Sequence, residues 1–356
     1  MGKPYYRGTD LMYFASDNSG PVHPQVMDFM VKSNTGYAMS YGDDALMDQV
    51  RDQLRDIFQA PDAAIYLVAL GTAANSLALA TLTQPWQTIF CSDVAHIHMD
   101  ECNAPEFYTG GAKLTLVPGG NKMTADALRT TIEGEGNRGV HGPARGPVSI
   151  TQVTERGSVY SLDELVALTD VAKFFDLPVH MDGARFANAL VTMNCSTADM
   201  TWRLGVDVLT FGGTKNGLMG VEAVIFFDPK HAWEFELRRK RAAHLFSKHR
   251  YLSAQMLPYL RDDLWLTSAR QANANCARLT EGLQNAGAEF IHHPDANMIY
   301  AKFPRRIHAR LRNAGATYEF EAPLAGDRDE MLPCRLVCDW SISADKIDQF
   351  LGFFKS

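Results

Sequence analysis

Two hydrophobic periods alternate along most of this chain. Short apolar runs at 64–69, 87–91, 113–117, 148–154, 177–182, 207–211 and 222–227 read as buried strands. Between them lie stretches with helical spacing. A helix is expected from Pro21 and Pro24 through Val31, and one over 45–58 lines up Leu46, Val50, Leu54 and Ile57. An Ala/Leu-rich helix follows Gly71, another runs from Thr124, and a third starts from the capping box of Ser161 and Glu164 and reaches about Phe175. A further helix is expected around 197–204. This repeated strand, turn and helix order predicts an α/β fold: a mostly parallel sheet with helices on both faces.

After Pro229 the pattern changes. Residues 234–250 form a basic helix and loop, and a long helical region covers 254–286 with a break expected near Pro258. Strands at 290–299, 318–320 and 336–337 with helices at 305–314 and 344–354 suggest a small C-terminal α+β domain. The expected division is therefore 1–255, an N-terminal arm with the large domain, and 256–356, the small domain. No internal repeat or low-complexity linker interrupts this order.

Composition narrows the class. The 356 residues, 46% hydrophobic and 21% charged, suit a globular protein with a sizeable core, and no apolar run approaches a membrane span. The first residues show neither a signal-peptide apolar region nor a myristoylation pattern, so the expected location is cytoplasmic. A net charge of −7 without a long basic run argues against a nucleic-acid partner. The six cysteines are scattered without a C-x-x-C pair, and the histidines lack helical zinc spacing, so no metal site is expected.

The candidate chemistry gathers at strand ends. Asp207-Val-Leu-Thr-Phe-Gly-Gly-Thr-Lys215-Asn-Gly runs from an apolar segment into a glycine turn holding Lys215. Alone it reads more readily as a solvated lysine on a glycine turn, and it lacks the spacing of a nucleotide P-loop. Leu177-Pro-Val-His-Met-Asp182-Gly-Ala-Arg185 places an acid at the end of an earlier strand. A lysine that can hold an aldehyde and a carboxylate that keeps a pyridine nitrogen protonated are the pair pyridoxal phosphate needs. Leu70-Gly71-Thr72-Ala73 opens a helix, either as a plain helix start or as a phosphate cradle. His96 lies just past a strand's carboxyl end, where a ring could stack on a cofactor, and His141 lies in a Gly/Pro-rich loop.

Together Phe14-Ala-Ser-Asp-Asn, Tyr41-Gly-Asp-Asp, Leu70-Gly-Thr-Ala-Ala-Asn, Val94-Ala-His, His180-Met-Asp-Gly-Ala-Arg, Thr214-Lys215 and Arg335-Leu-Val resemble the low-specificity threonine aldolases. These are fold type I, aspartate aminotransferase-like enzymes, and the likeness in order and spacing runs from about residue 11 to the C-terminus. The segment Lys248-His-Arg-Tyr-Leu-Ser-Ala-Gln is also similar to that of phenylserine aldolases in the family. The resemblance implies pyridoxal 5'-phosphate held by Lys215 as an internal aldimine, beside Thr214. It pairs Asp182 with the pyridinium and Arg185 with the ring hydroxyl, and it stacks His96 on the ring. Gly71, Thr72 and the Ala73 amide would cup the phosphate, and Ser16 with Arg335 would take the substrate carboxylate. His141 would lie near the substrate hydroxyl. Tyr41 would approach a partner subunit's site, implying a homodimer or homotetramer.

The implied reaction is retro-aldol cleavage of a β-hydroxy-α-amino acid to glycine and an aldehyde, with His96, His141 or water as the base. Another fold type I reaction, β-elimination or transamination, would use the same lysine and aspartate. Two departures stand out. Gln152-Val-Thr-Glu-Arg-Gly157 replaces the Glu-Asn-Thr-His-Asn-Gly of many relatives, and Ala242-Ala-His-Leu-Phe-Ser replaces a glycine-rich stretch.

Overall fold

The computed structural model describes residues 12–355; the start of the chain, read above for targeting patterns, lies outside that range. By their contacts the described residues form two compact units, one of 22–155 and 159–266, the other of 12–21, 156–158 and 267–355. The sequence reading put the arm with the large domain and the division after 255. Residues 12–21 group instead with the C-terminal part because they pair there: Phe14 N donates to Thr317 O at 2.7 Å and Val337 N to Phe14 O at 2.8 Å.

In the larger unit the strands are β1 (Ala64–Val68), β2 (Gln87–Ser92), β3 (Lys113–Val117), β4 (Ala144–Thr151), β5 (Val179–Gly183), β6 (Val208–Gly212) and β7 (Glu222–Phe226). Their order in the sheet is β1-β7-β6-β5-β4-β2-β3. Neighbours from β6 to β3 run parallel, while β7 runs antiparallel to both β6 and β1. The sheet is thus mostly parallel, with one reversed strand. Strands β5, β6 and β7 are buried along their whole length, so their apolar residues do not alternate with exposed polar ones, and His180, Asp182 and Glu222 are buried among them.

Helices follow the strands: α1 (Pro24–Ser33), α2 (Ala45–Phe58), α3 (Gly71–Leu82), α4 (His96–Met99), α5 (Ala104–Thr109), α6 (Ala125–Gly134), α7 (Leu162–Phe174), α8 (Phe186–Met193), α9 (Ala232–Arg241), α10 (Arg250–Leu260), α11 (Leu264–Asn285), α12 (Arg305–Asn313) and α13 (Ala344–Gly352). Asp44 caps α2 through the amides of Leu46 and Met47, and the buried stripe is Met47, Val50, Leu54 and Phe58. That stripe is rotated from the expected face, since Leu46 and Ile57 remain partly exposed. Ser161 and Glu164 make the expected reciprocal cap of α7.

Other expectations changed. Residues 197–204 hold turns and a short 3-10 turn at Trp202–Leu204, not a helix. The Ser196 hydroxyl bonds the Asp199 carboxylate at 2.6 Å and accepts its amide at 3.1 Å, local bonds that compete with helical ones. The helix of this region is the preceding α8. Helix α10 passes through Pro258, and the break comes at Arg261–Asp263, where Asp262 has φ 52°.

In the smaller unit, β9 (Met298–Pro304) pairs antiparallel with β10 (Met331–Val337) and with the two-residue β8 (Glu289–Phe290). The strand expected at 290–299 is mostly loop, and 318–320 contributes a single bridge, Glu319 to Arg335. Cys276, Leu279 and Leu283 of α11, at helical spacing, join Phe14, Ile299, Phe303, Leu336, Ile347 and Phe350 in its core.

Candidate active site

The parallel strands bring several loops to one edge. Asp182 pairs with Thr151 of β4 and Thr210 of β6, so β4, β5 and β6 end level. Beyond β6, a 3-10 turn over Thr214–Asn216 carries Lys215. Strand β1 leads into α3 at Gly71, and β2 leads into α4 at His96. The carboxyl edge of such a sheet is where α/β proteins place ligands.

Glycines let this edge close. A Cβ on Gly212 would collide with the backbone carbonyl of Ala184, and one on Gly213 would meet Leu218 Cδ1 at 2.5 Å and Val221 O at 2.7 Å. A larger residue at 212 would push the Asp182 turn and the Lys215 turn apart, and one at 213 would displace the residues that follow Lys215.

Asp182 is 3% exposed and accepts a hydrogen bond on each carboxylate oxygen. Ala184 N donates to its Oδ1 at 2.9 Å, and Asn75 Nδ2 donates to its Oδ2 at 2.8 Å. Burial opposes its ionisation, but the charges of His96 and Lys215, the Ala184 amide and His180 hold the carboxyl below its usual range. The acid and the lysine therefore act on one another across this edge. Asn75 also donates to Glu101 Oε1 at 2.9 Å, and that same oxygen lies 2.8 Å from His96 Nδ1. The Glu101 bond raises the proton affinity of His96 against burial, with Asp182 adding to it and Lys215 opposing it.

Around this chain of four residues sit further acids. Glu155 Oε1 accepts the backbone N–H of His96 at 2.9 Å and the Thr151 hydroxyl at 2.7 Å. It lies in the segment that departs from the family pattern, and its carboxyl is raised by burial. Glu222, opposite Gly212 at the start of β7, accepts the Gly213 N–H at 2.7 Å. Burial pushes its carboxyl up to about 7, against bonds from Thr214 and Gly213 and the charge of Lys215.

The donor atoms of His96, Glu101 and Asp182 lie within 4.8 Å of one another. That spacing could hold a cation. The Asn75 amide already occupies both carboxylates, and the positive charge of Lys215 bears on Asp182, so the set suits a positively charged ring nitrogen better than a metal.

The start of α3 has no side-chain cap. Among the described residues, no hydrogen-bond partner is found for the amides of Gly71, Thr72 and Ala73, and a Cβ on Gly71 would meet open space. Three unengaged amides at a helix N-terminus make an anion cradle. Arg185 stands at the N-terminus of α8, immediately after the Asp182 turn. The Thr214 hydroxyl accepts the Val221 amide at 3.2 Å, which ties down the lysine turn.

The remaining candidates have the following surroundings. In the smaller unit Arg335 Nη2 donates to the carbonyl of Ala15 at 3.2 Å and pairs with Glu319 at 2.5 Å, which sets its guanidinium beside Ser16. Tyr41 is exposed in the single chain at φ 62°, with Lys240 Nζ 5.0 Å from its ring centroid. His141 is exposed on a 3-10 turn before β4, and no hydrogen bond or ion pair joins it to His96, Asp182 or Lys215 among the described residues. Sequence reasoning missed Asn75, Glu101, Glu155 and Glu222 as site groups. Asn75 was visible in the quoted Gly-Thr-Ala-Ala-Asn motif, one turn into a helix whose start was recognised. Nothing in spacing singles out the other three.

With this geometry in place, comparison with known proteins decides the family. A model described as beta-eliminating lyase matches residues 13–304. A low specificity L-threonine aldolase from a Pseudomonas sp. strain is 39% identical over 337 residues, 94% of each chain, and one from Pseudomonas aeruginosa is 37% identical over the same share. The chain belongs to the low-specificity L-threonine aldolase family. It is a pyridoxal phosphate-dependent lyase. The fold agrees: the Leishmania major threonine aldolase superposes with a TM-score of 0.90 at 24% identity, covering 96% of this chain and 98% of that one. Sphingomonas wittichii serine palmitoyltransferase superposes at 0.70 with 16% identity, covering 96% and 86%.

The residues present fit the cofactor. The buried, ionised Asp182 suits a pyridinium nitrogen, the unengaged amides of α3 suit a phosphate, and Lys215 supplies an amine for the aldehyde carbon.

Proposed function

We propose that this protein cleaves β-hydroxy-α-amino acids, among threonine, allo-threonine and phenylserine, to glycine and the matching aldehyde by retro-aldol chemistry. The observation that carries the reading is the placing of the buried Asp182 and the Lys215 turn at the carboxyl edge of neighbouring strands, in a chain whose relatives match it over nearly their full length. Bound pyridoxal phosphate supplies the electron sink into which the broken carbon–carbon bond drains.

The chain's own residues do the rest. Asp182 keeps a full negative charge against the ring nitrogen, which holds its proton there. Gly71, Thr72 and Ala73 hold the phosphate, Arg185 the ring hydroxyl, and Thr214 steadies the turn that presents Lys215. Lys215 gives up its place to the substrate amine and takes it back when glycine leaves. Ser16 and Arg335 fix the substrate carboxylate, which orients the bond to be broken. His96 would lie against the cofactor ring and receive the proton of the β-hydroxyl. His141, Tyr41 and the departures at 152–157 are the positions where side-chain preference between methyl and phenyl is set. Tyr41, exposed here, reaches a partner's site in a cytoplasmic homodimer or homotetramer.

The family model's own description favours one competitor, β-elimination. Incubating the purified enzyme with threonine and phenylserine in parallel separates the two. Retro-aldol cleavage releases glycine with acetaldehyde or benzaldehyde; ammonia with an α-keto acid and no glycine would replace the proposal by β-elimination.

A further inference from the structure

Glu101 has no role in the reaction as described, yet its side chain is fully buried and placed against the group that handles the proton. One carboxylate oxygen meets His96 Nδ1 and Asn75 Nδ2; the other, Oε2, is buried with no hydrogen-bond partner among the described residues. A carboxylate kept only for stability pays for that lone oxygen, and a neutral residue would fill the place at lower cost. Asn75 spends its two N–H groups on Glu101 and Asp182, so the amide spaces two buried carboxylates that would otherwise repel. The His96 ring, 37% exposed at its side chain, is held by Nδ1 and left with Nε2 as its exchangeable nitrogen.

We propose that Glu101 is a positioning residue that acts through His96: it fixes the ring by Nδ1 and holds the proton that Nε2 draws from the substrate hydroxyl. The inference rests on the reading of His96 as the proton acceptor. In the step, the O–H bond of the substrate breaks and an N–H bond forms at Nε2, while the Glu101 carboxylate, raised by burial and lowered by its bonds to His96 and Asn75, stabilises the charged ring, with Asn75 keeping it in place. Three charged groups bear on that ring and a fourth on its backbone. Glu101 lies on the turn after α4, Asp182 on β5, Lys215 after β6, and Glu155 after β4 holds the backbone N–H of His96. Among the described residues, Glu101 is the one bonded to the ring itself.

The test follows the His96 ring by ¹⁵N-labelled NMR titration in the full-length protein, with and without pyridoxal phosphate, and the pH profile of kcat/KM. In the wild type His96 titrates above the ordinary histidine value. In Glu101→Gln it titrates lower by about one pH unit or more, and the acid limb of kcat/KM moves down with it. Glu101→Asp restores part of both shifts. A wild-type His96 that titrates at or below the ordinary value, or a limb unmoved in Glu101→Gln, overturns the proposal. Should the variant fold poorly, the wild-type ring titration decides alone. A wild-type enzyme that releases no glycine instead fails the aldolase reading, and the ring titration still reports on Glu101 separately.

Discussion

Replacing Glu222 by Gln isolates one buried ionisation beneath the lysine turn. Glu222 is 6% exposed, and its carboxyl is raised by burial from 4.5 to about 7. The folded chain therefore binds this proton more tightly than the unfolded one. The sign follows: the stabilising contribution is complete below pH 4.5 and is lost as the pH rises through about 7. A gap of about 2.5 units at 1.36 kcal/mol per unit amounts to about 3 kcal/mol. Glutamine stands in for the protonated acid: it keeps an oxygen for the Gly213 N–H and carries no charge. Other groups titrate in the same window. His180 and His249, pushed down by burial to about 4 and about 3, make stability rise with pH, but they are common to both proteins and cancel in the difference. Urea unfolding of wild type and Glu222→Gln, run without cofactor at about pH 4.5 and about pH 8, gives that difference. The variant should gain about 3 kcal/mol on the wild type between the two conditions. Stability curves that stay parallel across the range would refute the buried protonated acid.

Two other substitutions test the site residue by residue. Asp182→Asn removes the charge that holds the ring nitrogen's proton, and kcat should fall by about a hundredfold or more in a glycine-release assay, with weaker cofactor binding by fluorescence titration. An unchanged kcat would count against the electron-sink role. Arg335→Lys keeps a positive charge but loses the planar two-point contact, so KM for the amino acid should rise about tenfold while kcat changes less. A KM equal to wild type would remove Arg335 from the carboxylate site.

Much of the larger unit was legible because strands buried on both faces leave short, mostly apolar runs, and because Asp44, Thr124 and Ser161 mark helix starts in plain sequence. The misreadings have local causes. Pro258 suggested a break, yet α10 carries it and turns only where Asp262 takes a positive φ. The arm's partner was illegible, since the pairing of Phe14 with Thr317 and Val337 spans most of the chain. At the site, Lys215, Asp182 and the start of α3 stood out by residue type at strand ends. Glu101 and Glu222 did not: an acid on a turn and an acid opening a strand read as solvated until the fold buries them.

The central claim is that Lys215 carries the cofactor opposite Asp182. Borohydride reduction of the protein loaded with pyridoxal phosphate, followed by proteolysis and mass spectrometry, tests it directly. The pyridoxyl group should be found on the peptide containing Lys215, and Lys215→Ala should take up none. A label fixed on another lysine, or full glycine release by Lys215→Ala, would contradict it.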